Sequence, residues 1–333
     1  MSKGYYRHPT VFADRIVFVS EDDLWSVSID GGRAVRLTAN AGEVTSPHFS
    51  EDGKLLAFIG HEEGHSEVYV MPSEGGNEKR LTYLGARVKV VGWHKGRVIF
   101  YSNHGQPFRQ DFWLYSIDPE GGAPEKLPYG LATGIGFGEK GVVLGRNTMD
   151  LATWKRYRGG TAGELWIDKD GSGKFCKLID RKGNYSHPMW IGDRIYFLSD
   201  MDGIGNLYSL KPDGTDLKKL SDQREYYVRN ATTDGKNIVY HSGADLYVYN
   251  IEKKRERQVE IEYHSPFIQR NRKFVSPERY FHGGDVNIGG SRLLVEARGK
   301  IFNLGNWEGG VVQCGSRDGI RYRLPRWLTR TLF

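Results

Sequence analysis

The strongest constraint on this chain of 333 residues is a quasi-repeat that occurs seven times. Each copy has a short apolar run with an aromatic residue, a turn and a return strand, as in DLWSVSIDGGRAVRLT and EVYVMPSEGGNEKRLT. The aromatic anchors lie 39 to 55 residues apart and are Trp25, Tyr69, Tyr115, Trp166, Tyr208, Tyr247 and Phe302. Four short antiparallel strands repeated at this period are typical of β-propeller blades.

A second strand-like run precedes each anchor, for example RIVFVS, LLAFIG and RIYFLS. We expect each repeat to supply an inner strand of this kind, a middle strand with the anchor, and an outer strand after the hairpin. A weaker run upstream, such as VTSPHFS or NYSHPMW, can supply the fourth strand. A generic β-sandwich would not repeat the same turn chemistry in the same place, so the pattern favours an all-β propeller fold.

The repeats also predict how the chain is divided. Six blades fill residues 1–263, and the spacing then lengthens across the polar stretch HSPFIQRNRKFVSPERYFHGG. A single further blade follows, so residues 264–333 are predicted to hold a boundary segment and one extra four-stranded blade. A lone blade cannot bury both of its faces. It either closes a seven-bladed ring or begins an incomplete second propeller, and the end of the sequence at LTRTLF favours a truncated longer protein.

Composition excludes several classes of protein. The net charge of +6 comes from scattered residues without a basic stripe, so no nucleic-acid partner is predicted. Two distant cysteines indicate neither a disulfide framework nor a zinc site. The sequence has no apolar run of signal-peptide or membrane-span length, so we expect a cytoplasmic protein without a membrane partner.

The stretch HEEGH, residues 61–65, satisfies the H-E-x-x-H pattern of zinc peptidases. That chemistry needs both histidines on one face of a helix, whereas this stretch joins two predicted strands of the second blade. We therefore predict a surface hairpin. DKDGSG, residues 168–173, is interpreted as a turn, because Ile179 stands where a calcium loop needs glutamate.

No other motif carries chemistry. GIGFGEKG, residues 134–141, has the wrong spacing for a phosphate loop and is interpreted as a strand entry. There is no G-x-S-x-G elbow. His48 and His187 occupy related positions in two repeats, and we interpret both as structural. The sequence predicts no catalytic residue, no metal ligand and no cofactor.

Four segments resemble the N-terminal six-bladed propeller of tricorn proteases in order and spacing. The most specific is GRNTMDLATWKRYRGGTAGELWID, from Gly145 to Asp168. The others are DRIVFVSEDDLWSV, GDRIYFLSDMDGIGNLYS and REYYVRNATTDGKNIVYHSG. RLLVEARGKIF, from Arg292 to Phe302, resembles the first blade of that family's second, seven-bladed propeller.

The resemblance implies a part of a cytosolic serine protease that cuts oligopeptides into short products and is hexameric at full length. The catalytic serine and its partners lie in later domains of that family, so this segment would gate or channel peptides and dock those domains. The family uses a basic pair to hold the substrate C-terminus. Here the matching stretch, LTYLGARVKVVGW, offers Arg87 and Lys89, and Arg87 is either that carboxylate clamp or a solvated loop arginine.

Two alternatives stay open at the level of sequence. One is a stand-alone propeller, similar to TolB, that acts as a protein- or peptide-binding scaffold. The other is an enzyme with its site in the central funnel, which would need acids or metal ligands that converge from several blades.

Overall fold

The strands of this chain are short, and most pair with the strand that precedes or follows them in sequence. The computed structural model describes residues 4–40, 42–268, 276–317, 319–329 and 331–333. The chain divides into two compact units, Met1–Gln269 and Arg270–Phe333. In the described residues, seven sheets are four-stranded and antiparallel, and six of them belong to the first unit. The all-β fold with six blades followed by one extra blade is therefore confirmed.

Each blade of the first unit is built from strands that follow one another along the chain, and only in the first blade does a strand of another sheet, Gly32–Arg33, lie between two of them. The innermost strands of blades one to six are Arg7–Phe12, Val44–Phe49, Val88–His94, Gly134–Phe137, Tyr185–Ile191 and Val228–Thr233. The second strands are Arg15–Ser20, Leu55–Gly60, Arg97–Ser102, Val142–Arg146, Arg194–Ser199 and Asn237–Ser242. The runs predicted to be innermost are thus second strands, and the weaker upstream runs are innermost.

The outer half of each blade contains the anchor strand and a short edge strand. The third strands are Asp23–Ser28, Glu67–Pro72, Trp113–Ile117, Glu164–Asp168, Asn206–Leu210 and Asp245–Asn250. The outermost strands are Val35–Arg36, Lys79–Arg80, Glu125–Leu131, Cys176–Lys177, Lys218–Lys219 and Arg255–Gln258. All six anchors lie on third strands, as the repeat predicts.

The anchors of five blades lie opposite an aromatic residue of the second strand, whereas Trp166 of the fourth blade lies opposite Leu144. Phe58 lies opposite Tyr69 with ring centroids 5.8 Å apart, and Phe197 lies opposite Tyr208 at 6.0 Å. The same stacked pair recurs in the third and sixth blades. Directly opposed aromatic residues stabilise an antiparallel pair of strands, which explains why the sequence repeats the anchor.

Six buried apolar clusters lie between consecutive blades. In the second strand of the first blade, Val17 and Val19 face the second blade, whereas Ile16 and Phe18 face the sixth blade. Because successive side chains of a strand point to opposite faces, both faces of this strand are buried. This explains why RIVFVS and its equivalents are almost continuously apolar. The cluster between the sixth and first blades closes the ring.

Backbone contacts also join the two ends of the ring. Ile261–Glu262 pairs in parallel with Gly32–Arg33 of the first blade. The Tyr6 N–H donates to the Ala244 carbonyl at 3.1 Å. The described strands of the sixth blade all come from residues 228–258. The ring is therefore closed by these backbone bonds, by the hydrogen bond from Arg257 Nη2 to the Ile29 carbonyl at 2.7 Å and by side-chain packing.

The innermost strands are irregular near the axis. Five of them contain a register shift against the second strand, in blades one, two, three, five and six. Four bulge residues have φ between 48° and 52°: His8, Ser46, His187 and Asn230. A bulge bends its strand and changes the direction of the adjacent side chains. His48 and His187 therefore belong to strands that line the axis.

The second unit contains the short helix Pro277–Tyr280 and four strands, Phe281–Val286, Arg292–Ala297, Lys300–Gly305 and Val312–Cys314. Leu294 and Ile301 are its buried apolar residues. Exposed apolar residues include Phe281, Ile288 and Trp307. This exposure is expected of a blade without neighbours. Its assignment to a second propeller, and the boundary at residues 263 and 264, stay predictions.

The structure explains the two motifs that imitate metal sites. HEEGH joins the strands Leu55–Gly60 and Glu67–Pro72, as predicted. His61 Nδ1 lies 2.8 Å from the Glu43 carbonyl oxygen, and its Nε2 lies 3.1 Å from the Ser66 hydroxyl. Both ring nitrogens thus have protein partners, one inside the loop and one just before the strand Val44–Phe49. The Asp168 carboxylate accepts hydrogen bonds from turn N–H groups, including that of Gly173 at 2.8 Å.

No helix in the described part of the chain is long and apolar enough to cross a membrane.

Candidate functional site: the axial cavity

A cavity of about 520 Å³ lies on the axis of the six-bladed unit. Residues from the innermost strands of all six blades line it, because those strands surround the axis. We call the end where these strands begin the loop face, since it carries the long loops 103–112 and 147–163. The opposite end is the turn face, where short turns join the first and second strands.

The middle of the cavity is polar. His8, His48 and His187 come from three blades and line it, together with Lys89 and Asn230. His48 Nδ1 lies 3.1 Å from the Ser46 carbonyl oxygen, so this nitrogen carries the proton of the neutral ring and Nε2 is an acceptor. His241 is buried beside His8, with ring centroids 6.3 Å apart.

These histidines are held in the neutral form. Burial lowers the pKa of His48 to about 4, and burial with the nearby Lys89 charge lowers that of His187 to about 3. The pKa of His241 is lowered to about 3 by burial and by the Arg229 charge. Burial also lowers the pKa of Lys89. Charged forms are disfavoured because this region of the ring is shielded from water.

An ion pair spans the cavity wall between the fourth and sixth blades. Arg229 Nη2 lies 2.7 Å from Asp150 Oδ2, and its Nε donates to the same carboxylate at 2.8 Å. Burial opposes ionisation of Asp150, but the hydrogen bonds and charge of Arg229 prevail and the pKa of this carboxyl is lowered. No hydrogen bond or ion pair of the Lys89 ammonium is found with any described residue.

Aromatic side chains surround the cavity at the turn face. We call them the aromatic collar, which consists of Phe12, Phe49, Trp93, Phe137 and Trp190. Each stands at or next to the end of an innermost strand, in blades one to five. The collar also joins neighbouring blades: Phe137 stacks on His94 of the third blade at 3.7 Å, and the Trp93 Nε1–H donates to the His48 carbonyl at 2.9 Å.

The predicted pair of site residues is divided between two places. Lys89 lines the axial cavity. Arg87 is exposed and lines a separate depression on the loop face, together with Arg109. Asn103 connects the two segments, because its side chain accepts from the Arg87 N–H at 3.0 Å and donates to the Arg109 carbonyl at 3.1 Å. The sequence did not predict a role for Arg109, because it lies on a different loop from Arg87 and only the fold brings the two residues together.

The sequence stretch with the most specific resemblance to tricorn proteases, residues 145–168, contains the loop 147–163 between two strands of the fourth blade. Arg158 Nη1 donates to the fully buried Asp200 carboxylate of the fifth blade at 2.8 Å. The Arg156 N–H donates to the same carboxylate at 2.8 Å. The loop therefore fixes Asp150 at the cavity while its side chain Trp154 stays exposed.

Exposed aromatic residues of the first unit are concentrated on the loop face. They lie before first strands, in the links between blades or in the long loops, and are Tyr5, Tyr83, Phe108, Trp154 and Tyr226. Large aromatic side chains are enriched at protein interfaces. The loop face is thus chemically different from the turn face.

The cavity is lined by side chains that can donate and accept hydrogen bonds. Among the described residues, no group of three or more His, Cys, Asp or Glu could hold a metal ion. The cavity-lining hydroxyls of Ser46 and Thr133 make no hydrogen bond to a histidine that is itself oriented by an acid.

A closed ring of six four-stranded blades around an axial cavity defines the class of β-propeller domains. Residues 3–255 match the family described as the tricorn protease N-terminal beta propeller domain, and the chain belongs to that family. The resemblance found in the sequence is confirmed.

Relatives and a solved structure agree with this assignment. A tricorn protease homolog from Saccharolobus solfataricus is 37% identical over 329 residues, which cover 96% of this chain and 30% of that protein. A putative tricorn-like protease N-terminal subunit from Sulfurisphaera tokodaii is 31% identical over 174 residues, 50% of this chain and 88% of that protein. The crystal structure of the tricorn protease superposes with a TM-score of 0.84 at 31% identity, covering 96% of this chain and 32% of that one. The chain thus spans about a third of the long relatives.

Proposed function

We propose that the six-bladed unit is the peptide-guiding propeller of a tricorn-type serine peptidase of the cytoplasm. It acts without covalent chemistry, by passing oligopeptides or their products along its axis and by docking the remaining domains of the protease. The observation that supports this proposal is the axial cavity, which all six blades line and which has a polar centre. A hexameric full-length protein stays a prediction from the family resemblance.

Arg87, Lys89 and Arg109 are the residues that we propose for the peptide C-terminus. A guanidinium binds a carboxylate through two parallel hydrogen bonds. Arg87 and Arg109 share one depression, so Arg109 supplies the second guanidinium that the sequence next to Arg87 lacks. Lys89 lies deeper, inside the cavity, and would receive a carboxylate that has entered the ring.

The loop face is our proposed docking surface for the remaining domains. It carries the exposed rings of Tyr83, Phe108 and Trp154 and the exposed guanidinium groups of Arg87 and Arg109. Aromatic and arginine side chains are the residues most enriched in the energetically important centres of interfaces. Tight turns occupy the opposite end of the ring.

The proposal can be tested by blocking the cavity in this chain joined to the remaining domains. In a Cys176→Ser/Cys314→Ser background, a bulky maleimide on Lys89→Cys should lower kcat/KM for an oligopeptide about tenfold, whereas an aminoacyl fluorogenic substrate should be cleaved as before. The control is the same label on exposed Cys176 in a Cys314→Ser protein that keeps Cys176 and Lys89. Equal oligopeptide turnover in both labelled proteins would rule out passage through this cavity and favour a binding scaffold.

A further inference from the structure

The axial cavity has two chemically different zones that follow one another along the axis. The polar centre is formed by His8, His48, His187, Lys89 and Asn230, and the aromatic collar lies towards the turn face. A passage for unselected peptides needs neither zone. A pocket of 300–1,000 Å³ with apolar walls and a few convergent polar groups is the usual form of a small-molecule site, and this cavity lies within that range.

The polar centre contains donors that the protein leaves unused. Asn230 is 5% exposed, and its Nδ2 has no hydrogen-bond partner although it is buried. The Lys89 ammonium also has no partner among the described residues. A buried donor without a partner costs free energy, so a ligand that accepts from it binds with an advantage. Carboxylate oxygens are the acceptors that suit an ammonium and an amide N–H together.

The charges of the lining are ordered along the axis. Asp150 is neutralised by Arg229, so Lys89 is the remaining charge of the centre. At the turn face, the carboxylates of Glu51 and Asp234 also line the cavity. Both carboxylates accept hydrogen bonds from backbone N–H groups of nearby turns. Glu51 accepts from the Gly96 N–H at 2.9 Å, and Asp234 accepts from the Asn237 N–H at 2.7 Å. The centre is therefore positive and the rim beyond the collar is negative.

The collar provides an apolar surface between these two charged regions. Its rings of Phe12, Trp93, Phe137 and Trp190 are only partly buried by the protein. Trp190 packs on Gly138 of the preceding blade so closely that a Cβ there would lie 2.5 Å from the ring. The interlocked rings have few alternative positions, so a flat or bulky apolar group can bury its surface against them at little entropic cost.

We propose that the axial cavity is a selective binding site for short zwitterionic peptides with an aromatic or large aliphatic C-terminal residue. The C-terminal carboxylate binds Lys89 and the Asn230 amide, the apolar side chain contacts the aromatic collar, and the amino terminus lies towards Glu51 and Asp234. The neutral histidines provide further acceptors and donors without adding charge. A basic C-terminal side chain is disfavoured, because its charge would lose water against the apolar rings of the collar.

This inference rests on the proposed function only in taking a peptide as the source of the carboxylate. The first test is calorimetric titration of the full chain with Ala-Ala-Phe, its C-terminal amide and Ala-Ala-Lys. We expect the amide and the lysine peptide both to bind about tenfold or more weakly than Ala-Ala-Phe, because the amide loses the charge-assisted hydrogen bond to Lys89 and the lysine side chain loses water against the apolar collar. Equal binding of the amide would overturn the proposal.

Variants locate the site and guard against misfolding. Lys89→Met should weaken Ala-Ala-Phe about tenfold and leave the binding of the amide unchanged, while circular dichroism shows the same fold. Trp190→Ala should weaken Ala-Ala-Phe more than Ala-Ala-Ala, whereas Trp154→Ala, a tryptophan outside this cavity, should weaken neither. The proposal fails if Trp154→Ala and Trp190→Ala have the same effect or if Lys89→Met has none.

Hydrocinnamate, which lacks the peptide and the amino group, separates this inference from the proposed function. If it binds as tightly as Ala-Ala-Phe with the same dependence on Lys89, the carboxylate site stands and the peptide specificity is refuted. A label at residue 89 can also block oligopeptide turnover while the titrations show equal affinity for Ala-Ala-Phe, its amide and Ala-Ala-Lys. That result would support passage of peptides through the cavity and refute the selective binding site.

Discussion

Asp150 on the long loop of the fourth blade forms an ion pair with Arg229 on the innermost strand of the sixth blade, at 2.7 Å. The pair joins two blades that are not neighbours in the ring, since the fifth blade lies between them. It fixes the loop 147–163 over the cavity and removes the charge of Arg229 from its centre.

We expect Asp150→Asn to lower the free energy of unfolding by about 1–3 kcal/mol, because it leaves the charge of Arg229 partly buried and unpaired. Urea denaturation measures this change. The control is Lys54→Met, which removes the exposed Lys54–Asp52 pair at a side chain that is 81% exposed and should have no measurable effect. Equal effects of the two variants would contradict a special role for the cross-ring pair.

The neutral histidines predict a pH dependence of stability. An unfolded histidine has a pKa of about 6.5, and in the folded protein the pKa of His48 is lowered to about 4. Between these values the unfolded chain binds more protons, so the free energy of unfolding decreases as the pH falls. The contribution is complete above pH 6.5 and is lost as the pH falls to about 4.

Urea denaturation at a series of pH values between 7.5 and 4.5 tests this effect. His48→Gln should remove about 2 kcal/mol of the pH dependence, because glutamine does not titrate. Parallel curves for the wild type and His48→Gln would show that His48 does not contribute to the acid sensitivity.

The short parallel pair that closes the ring depends on a close backbone approach. A Cβ on Gly31 would lie 2.5 Å from the Glu260 carbonyl oxygen, and Gly31 has a φ of +94°. Gly64 has a similar φ of +95°, but a Cβ there would meet nothing within 4 Å. Gly31→Ala should therefore destabilise the protein more than Gly64→Ala, which carries only the backbone cost of about 1–2 kcal/mol.

Thermal unfolding of both glycine variants gives the comparison. Because the two glycines have nearly the same φ, the difference between the two melting temperatures reports the steric clash with the Glu260 carbonyl and not the backbone strain. A melting temperature for Gly31→Ala equal to that of Gly64→Ala would mean that the pairing with Ile261–Glu262 adds nothing to ring closure.

The stacked aromatic pairs predict large effects of truncation. Phe197 is fully buried between the fourth and fifth blades and stacks on Tyr208. Phe197→Ala should lower the free energy of unfolding by about 3–5 kcal/mol, through lost burial and the cavity that remains. Phe108→Ala, on the exposed loop face, is the matched control and should change stability by less than about 0.5 kcal/mol. A small effect of Phe197→Ala in urea denaturation would refute the importance of these pairs.

The sequence predicted the blades well because their second and third strands carry strong, repeated signals. RIVFVS is apolar at almost every position since both of its faces are buried, and Trp25 recurs as an anchor because it pairs across two strands. The innermost strands were misplaced for a physical reason. VTSPHFS contains a bulge, a proline and a histidine that face the cavity, so it lacks the alternation of an ordinary strand.

The candidate site was less accessible to sequence reasoning. Lys89 could be singled out because it lies in a stretch that resembles a known family. His8, Asn230 and Arg109 come from three different blades, and only the closed ring brings the first two to the axis. The aromatic collar was also missed, because its members are single residues at strand ends with no local pattern.

The continuity of each blade has a consequence for how such a ring can be encoded. Every four-stranded sheet is completed before the chain enters the next one, and the ends meet through a two-residue parallel pair and side-chain packing. A break in any link between blades would therefore interrupt no sheet and would expose one more seam like the existing one. Two chains produced by a break at such a link would each contain only complete sheets, and the apolar clusters between neighbouring blades would supply the contacts between them.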